Sequence, residues 1–423
     1  MIRWTLELGR IWRNRRLTRD ALESLRERKL RAVVRNAYEH VPYYRRLFQD
    51  AGISPDDIRT VADLRKIPIS TKEELRAAGI DNITARWNDL SKCISAKTGG
   101  STGKPWTVYW TQAERRTMVA LDLASLSSIG VRPRDRIVRV GWPRQKSRTL
   151  AQRLGLYRSE PVLISLPVEE QLRQLREYQP TVLVGYSTVL RALIHSSKLP
   201  LREVINPRIL IHSAEVFDQV LRKRIQADLD SELFNYYAAR EIGPIAWECP
   251  SHEGLHLNAD HYVLECLEGE GPTEKPGEGP AVVTSLICHA MPLIRYKLGD
   301  LVAPMDKECS CGCSFPLIDH PIGRENDIVR LPSGKMLSPQ RFEFILRAFD
   351  GIDQWRLIQE SESQFLLKLV MPVRPGEEVL QRMRSEFLAY FSERVKVDIE
   401  LVNYMSEQGK FRAFISNVRV PEG

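Results

Sequence analysis

Residues 97–105 read KTGGSTGKP, with Gly99, Gly100 and Gly103 set among Thr98, Ser101 and Thr102. No other stretch constrains the fold so tightly. Glycine admits positive φ and lets ligand oxygens approach main-chain N–H groups with no Cβ between them. Successive free N–H groups, hydroxyls and the ammonium of Lys104 make a cradle for a polyphosphate. The flanks fix its setting. Residues 91–96 alternate in part, and Trp106, Val108 and Trp110 alternate with Thr107, Tyr109 and Thr111, which is the period of a strand. The loop is therefore expected at the tip of a strand–loop–strand hairpin. A Walker loop needs Gly, four residues and then Gly-Lys-Ser/Thr opening a helix. Here Thr98 stands where that first glycine belongs, and Pro105 follows Lys104. An ordinary glycine-rich hairpin turn is the plain alternative.

Upstream, residues 22–48 carry a helical pattern with a stop at Gly52, and Ser70 or Thr71 with Glu73 or Glu74 forms a capping box. Downstream, 112–128 reads as a helix, 136–141 and 161–165 as strands, 169–178 as a helix, and 181–184 and 208–213 as strands. Alternating strands and helices argue for a mixed or parallel sheet covered on both faces, with ligands at the carboxyl ends of its strands. A further strand is expected over 232–236 and a turn-rich connection over 268–279. Towards the end, strands at 355–359, 365–371 and 396–402 and a helix at 377–394 suit a small α+β unit.

A chain of 423 residues with 27% charged and 43% hydrophobic residues has the composition of an ordinary water-soluble protein of two or three units. No apolar run reaches the length of a membrane span, and no signal-peptide pattern opens the chain, so a cytoplasmic location is expected. The formal charge of +8 raises the question of nucleic acid. Much of the excess lies between Arg3 and Arg35, interleaved with Trp4, Leu6, Leu8, Ile11 and Trp12. That pattern is a basic amphipathic helix, packed on its own domain or touching an anionic surface. No nucleic-acid motif accompanies it, so nucleic acid is not an expected partner. A zinc-bearing, basic nucleic-acid-binding module is the non-enzymatic rival. The seven cysteines include the bunched Cys309, Cys311 and Cys313, which argues for reduced thiols or metal ligation over a disulfide scaffold. A Cys-x-Cys-Gly knuckle with Cys249 and histidines upstream can supply a closed, tetrahedral structural zinc site; buried thiols without metal are the alternative.

Residues 98–105 resemble the nucleotide loop of the adenylate-forming enzymes: acyl-coenzyme A ligases, luciferases and peptide-synthetase adenylation domains. YYAAREIG at 236–243, GLHLNADHYVLE at 254–265, MPLIRYKLGDLV at 291–302, IGRENDI at 322–328 and QGKFRAF at 408–414 follow in the order of the phenylacetate–coenzyme A ligase branch, which includes CapK-like proteins of capsular polysaccharide clusters. The resemblance covers nearly the whole chain. It implies a large multi-layer α/β adenylation domain over 1–323 and a small α+β C-terminal lid domain over 324–423, with Asn326 as hinge. It also implies ATP-dependent activation of a carboxylic acid with Mg²⁺, then transfer of the acyl group to coenzyme A. Amines, carrier proteins or a polysaccharide component remain open as acceptors, and a homodimer is admitted.

The same resemblance assigns residues. Thr98, Gly99, Gly100, Ser101, Thr102, Gly103 and Lys104 would hold phosphates, and Ala214 and Glu215 would lie beside the base. Tyr236 and Tyr237 would flank the nucleotide, with Tyr237 against adenine. Glu241 would coordinate Mg²⁺, Asp300 would accept from the ribose hydroxyls, and Arg324 would reach ribose or phosphate. Lys410 is the implied catalytic lysine. Tyr186, Tyr236 and Ala238 are the expected acid-pocket wall. The favoured zinc ligands are Cys249, His256, Cys309 and Cys311, with His252 and Cys313 as substitutes. Three positions depart from the family: Ala238 replaces a glycine, Arg240 replaces a hydroxyl residue and would meet phosphate, and Asn326 stands where Asp or Lys is usual. The acid itself is not legible; aryl acids follow only by analogy.

Overall fold

In the computed structural model of the chain, the helical run over 22–48 is split. Helix α1 spans Ile2–Asn14, α2 Arg19–His40 and α3 Pro42–Asp50. Val41 is extended, at φ −113° and ψ 110°, because the ring of a following proline drives a residue out of the helical region. Pro42 then opens α3, where its missing N–H has no intrahelical partner to lose. Gly52, at φ +66°, stops that helix as expected. Its N–H reaches Gln49 O, and the Ile53 N–H reaches Phe48 O, the paired closure that satisfies orphan carbonyls. The capping box forms between Thr71 and Glu74. The structure describes residues 2–97, 106–141, 150–197, 200–213, 222, 225, 228–267, 277–321, 323–324, 329–337, 342, 345–346, 348–403, 405 and 413–418. Among them no helix is long and apolar enough to cross a membrane.

The chain folds into two compact units. The first takes Met1–Gly130, Tyr236–Leu267 and Pro280–Asp319; the second takes Val131–Asn235, Glu268–Gly279 and His320–Gly423. In the first, β1 (Ile94–Lys97) and β2 (Thr107–Trp110) make the expected antiparallel hairpin, Lys97 pairing with Thr107. The helix Gln112–Ile129 follows, its N-cap Thr111 boxed with Glu114.

The chain then enters the second unit with β3 (Ile137–Val140), β4 (Ser159–Val162), β5 (Val182–Gly185) and β6 (Ile209–Ser213). They lie side by side in the order β6-β5-β3-β4, all parallel. Crossover helices such as Val168–Tyr178 and Ser187–Ser196 join them, as parallel neighbours require. The strand expected over 161–165 starts earlier and stops at Val162, leaving Leu163 and Ile164 exposed.

Strand β7 (Glu232–Ala239) begins in the second unit and enters the first at Tyr236. There it pairs with β8 (Gly243–Glu248), which pairs with β9 (Leu255–Leu257). A second layer of that unit places β10 (Tyr262–Cys266) beside β11 (Gly279–Ser285) and β11 beside β12 (Tyr296–Val302). Strands β13 (Pro304–Met305) and β14 (Leu317–Ile318) finish on β9. The unit's core includes Trp106, Leu121, Ile245, Leu257, Tyr262 and Tyr296.

After β15 (Gly323–Arg324) and the ribbon of β16 (Val329–Arg330) with β17 (Met336–Leu337), the carboxyl-terminal sheet forms. Its strands are β18 (Gln354–Ser361), β19 (Gln364–Val370), β20 (Lys396–Leu401) and β21 (Phe414–Ser416), in the order β20-β19-β18-β21. The helix Glu377–Phe391 packs into its core, where Phe342, Phe365, Phe387, Phe391 and Phe414 meet. The overall class is mixed α/β, as the sequence implied.

Candidate active site

Strands β7 and β8 turn through Arg240–Ile242, so Glu241 sits half-buried in a hairpin turn and not at a helix start. The pairing slips between Tyr237 and Ala238, a bulge of the kind that re-aims side chains near functional sites. Adjacent strand residues face opposite sides, and the two tyrosines go different ways. Tyr236 donates to Asp122 Oδ1 at 2.6 Å, on the helix Gln112–Ile129. Tyr237 donates to Asp300 Oδ2 at 2.8 Å, on β12. Both are buried, while Ala238 is half-buried and Arg240 exposed. Arg240 Nη1 donates to the carbonyl of Lys97 at 2.7 Å. It thereby ties the turn to the root of the glycine-rich loop.

Residues with no assigned chemistry hold the frame. Glu114 is buried, and its carboxylate accepts the backbone N–H of Thr111 and His289, each at 2.6 Å, and of Ala290 at 2.9 Å. The Arg295 guanidinium grips Glu265 through both carboxylate oxygens at 3.1 Å and donates to Ile67 O at 2.6 Å. Ser70 Oγ donates to Ile294 O at 2.8 Å, and Tyr44 Oη accepts from Ile294 N at 2.9 Å. The amino-terminal segments therefore brace the strand that carries Asp300. The distant partners of Glu114, Asp122 and Glu265 were not anticipated, since each lies far along the chain.

A second cluster in the first unit is chemically distinct. The ligand atoms of Cys249, His256, Cys309 and Cys311 all lie within 4.8 Å of one another. Cys249 Sγ is 3.5 Å from Cys309 Sγ, and Cys311 Sγ is 3.3 Å from His256 Nε2. His256 Nδ1 faces Phe315 O at 3.4 Å, the outer contact that fixes an imidazole with Nε2 free to ligate. The Cys313 N–H points at Cys311 Sγ at 3.4 Å, and Gly312 takes φ +76° in the knuckle. Burial pushes the Cys249 thiol up to about 12 and the His256 imidazole down to about 4. The substitute ligands go elsewhere: His252 Nδ1 contacts Glu248 Oε1 at 2.8 Å, and Cys313 is outside the cluster.

Tyr186 caps the helix Ser187–Ser196 in the second unit, its ring against Gly141, where φ is +94° and a Cβ would collide with the ring. Arg324 is exposed on β15. Thr98, Gly99, Gly100, Ser101, Thr102, Gly103, Lys104, Ala214, Glu215, Asn326 and Lys410 lie outside the described residues.

Comparison with known proteins follows the same lines. No protein-family model matches. The phenylacetate-coenzyme A ligase of Escherichia coli strain K12 is 30% identical over 295 residues, 67% of each chain. The chain belongs to the phenylacetate–coenzyme A ligase family. Protein CapK of Staphylococcus aureus is 22% identical over 395 residues, covering 89% of this chain and 85% of CapK. The fold matches a solved 2-hydroxyisobutyryl-CoA ligase in its postadenylation state, with TM-score 0.80 and 21% identity, over 96% of this chain and 91% of that one.

Proposed function

We propose that the chain activates a carboxylic acid with ATP, forming an acyl-adenylate and pyrophosphate, and passes the acyl group to the thiol of coenzyme A. The observation that carries this is the convergence at β7, β12 and the β1–β2 hairpin. Asp300 is held by Tyr237, and Arg240 grips the hairpin at Lys97 O. An ionised carboxylate is acceptor-only, so an Asp300 oriented by Tyr237 suits a ribose diol. The carboxylate oxygen of the acid attacks the α-phosphorus, and the bond to pyrophosphate breaks. Such transfers depend mostly on positioning and electrostatic stabilisation. Residues 98–104 cradle the phosphates, Ala214, Glu215, Tyr236 and Tyr237 border the nucleotide, and Arg324 reaches its ribose or phosphate. Lys410 stabilises charge on the transferring oxygens. Tyr186, Tyr236 and Ala238 line the acid pocket.

Residues 1–323 act as the adenylation domain and 324–423 as a lid turning about Asn326, which withdraws Lys410 before the thiol arrives. Glu241, an oxygen donor in a turn, suits Mg²⁺, which when bound would offset phosphate charge. Cys249, His256, Cys309 and Cys311 suit zinc. Four soft and borderline donors within 4.8 Å match a closed tetrahedral site, so its role is structural. The reaction belongs in the cytoplasm, where ATP and coenzyme A are available.

Acid-dependent pyrophosphate–ATP exchange, run over a panel of aryl and small alkyl acids, tests the proposal. Wild type is expected to exchange only with an accepted acid, and Lys410→Ala to lose exchange. Exchange without acid, or undiminished exchange in the variant, would sink it. Offering coenzyme A, amines and carrier proteins to the adenylate then separates the acceptors.

A further inference from the structure

Arg15 lies just beyond α1 and is 4% exposed. Its Nη1 donates to Ala124 O at 2.9 Å and to Ser128 Oγ. Nε and Nη2 are buried without a hydrogen-bond partner among the described residues, and no carboxylate there forms an ion pair with it. A guanidinium buried this way gives up its hydration without full hydrogen-bond replacement, so charge in its surroundings must offset it.

One side of its surroundings leads to the cysteine cluster. The guanidinium carbon lies 4.6 Å from the ring centroid of Trp247 and 5.3 Å from that of Trp12. Trp247 in turn stacks on His256, with centroids 4.7 Å apart and planes at 30°. The backbone of Arg15 is engaged as well: Ser314 N and Ser314 Oγ both donate to its carbonyl, at 2.9 and 3.1 Å. Burial pulls the guanidinium below its ordinary value, while Cys313, Asp260, Tyr236 and Cys311 act in the opposite sense. Three thiolates, a neutral imidazole and a divalent cation sum to one net negative charge. The Arg15 cation is buried on the ring of Trp247, which itself stacks on the cluster's His256.

We propose that Arg15 is the counter-charge of the metal knuckle, so that metal retention and docking of α1 form one linked equilibrium. The proposal rests on the zinc reading of the cluster. Linkage is reciprocal: loss of the metal leaves Arg15 buried beside neutral thiols and loosens α1, and loss of Arg15 weakens the hold on the metal. Cation–π packing on Trp12 and Trp247 alone predicts no such coupling, because it is indifferent to the charge on the sulfurs.

The experiment uses the full chain as wild type, Arg15→Lys and Arg15→Met. Zinc content is measured first, then release to a chromophoric chelator, then hydrogen exchange of residues 2–17 before and after chelation. Wild type is expected to carry stoichiometric zinc. Arg15→Met should release it about 10- to 100-fold faster, the usual effect of removing an outer-shell partner, and Arg15→Lys should recover part of the loss. Chelation of wild type should speed exchange across residues 2–17. Wild type without zinc defeats the metal reading and the proposal with it. Stoichiometric zinc with wild-type release from Arg15→Met overturns the proposal alone. Should Arg15→Met fail to fold, exchange of residues 2–17 in wild type that ignores chelation overturns it equally.

Discussion

At the scale of single residues, the contact between Tyr237 and Asp300 is the most informative, because it links the strand that carries the family's tyrosine to the expected ribose ligand. A hydrogen bond to a charged acceptor contributes about 1.5–3 kcal/mol. Tyr237→Phe keeps the ring and removes only that donor. The expected result is a rise of about tenfold or more in KM for ATP, with discrimination against 2′-deoxy-ATP reduced. Unchanged preference between the two nucleotides would mean that the hydroxyl does not orient Asp300. A second residue reports on stability. Burial pushes Lys29 down to about 8, against the pull of Asp260, whose backbone carbonyl it contacts. The unfolded chain keeps that proton to about pH 10.4. Between pH 8 and 10 the unfolded state therefore binds more protons, and stability from this group rises with pH. Urea midpoints over that range should climb in wild type relative to Lys29→Met; parallel curves would refute the assignment.

At the scale of elements, local patterns proved legible where the physics is local. The period of two across Trp106–Trp110 and the glycines before it placed a hairpin, and β1 and β2 pair as that reading requires. The bunched cysteines marked a knuckle, and the four favoured side chains come together. Only partly legible was the strand at 161–165, where Leu163 and Ile164 satisfy the apolar pattern yet lie exposed. Glu114 was only half legible: its capping box with Thr111 is local, but its other carboxylate oxygen is satisfied by N–H groups 175 and 176 positions away, which no window of sequence carries. The clamp of Arg295 on Glu265 and Ile67 was hidden for the same reason. Arg240 belongs to this scale because it couples a turn to a loop root. Restoring a hydroxyl residue with Arg240→Thr removes that tie, worth about 1 kcal/mol for an exposed bond. KM for ATP should rise about fivefold with ribose discrimination intact, the opposite division from Tyr237→Phe. A loss of ribose discrimination as well would mean that Arg240 acts on the nucleotide through Asp300.

For the whole molecule, the proposed lid makes the small carboxyl-terminal sheet the element to test. That sheet has a core of its own, in which Phe342 stacks on Phe387 at 5.5 Å and Phe365 on Phe391 at 4.4 Å. Its outermost strand β21 is only Phe414–Ser416, held parallel to β18 through Leu357, Ile358 and Gln359. Lys410 precedes Phe414 by four residues, a span of at most about 14 Å even when fully extended. The reach of the proposed catalytic ammonium is therefore set by whether β21 stays docked, and Phe414, 3% exposed, is its anchor. Phe414→Ala should cost about 3–5 kcal/mol of local packing, enough to release a three-residue edge strand while the large first-unit core is untouched. Retained ATP binding by calorimetry with pyrophosphate exchange reduced nearly to the level of Lys410→Ala is the expected outcome. Transfer of a synthetic acyl-adenylate to coenzyme A should survive, because in the proposed sequence that step needs no contribution from Lys410. Full exchange activity in Phe414→Ala would show that Lys410 is positioned independently of β21, and loss of ATP binding would show that the two cores do not fold independently.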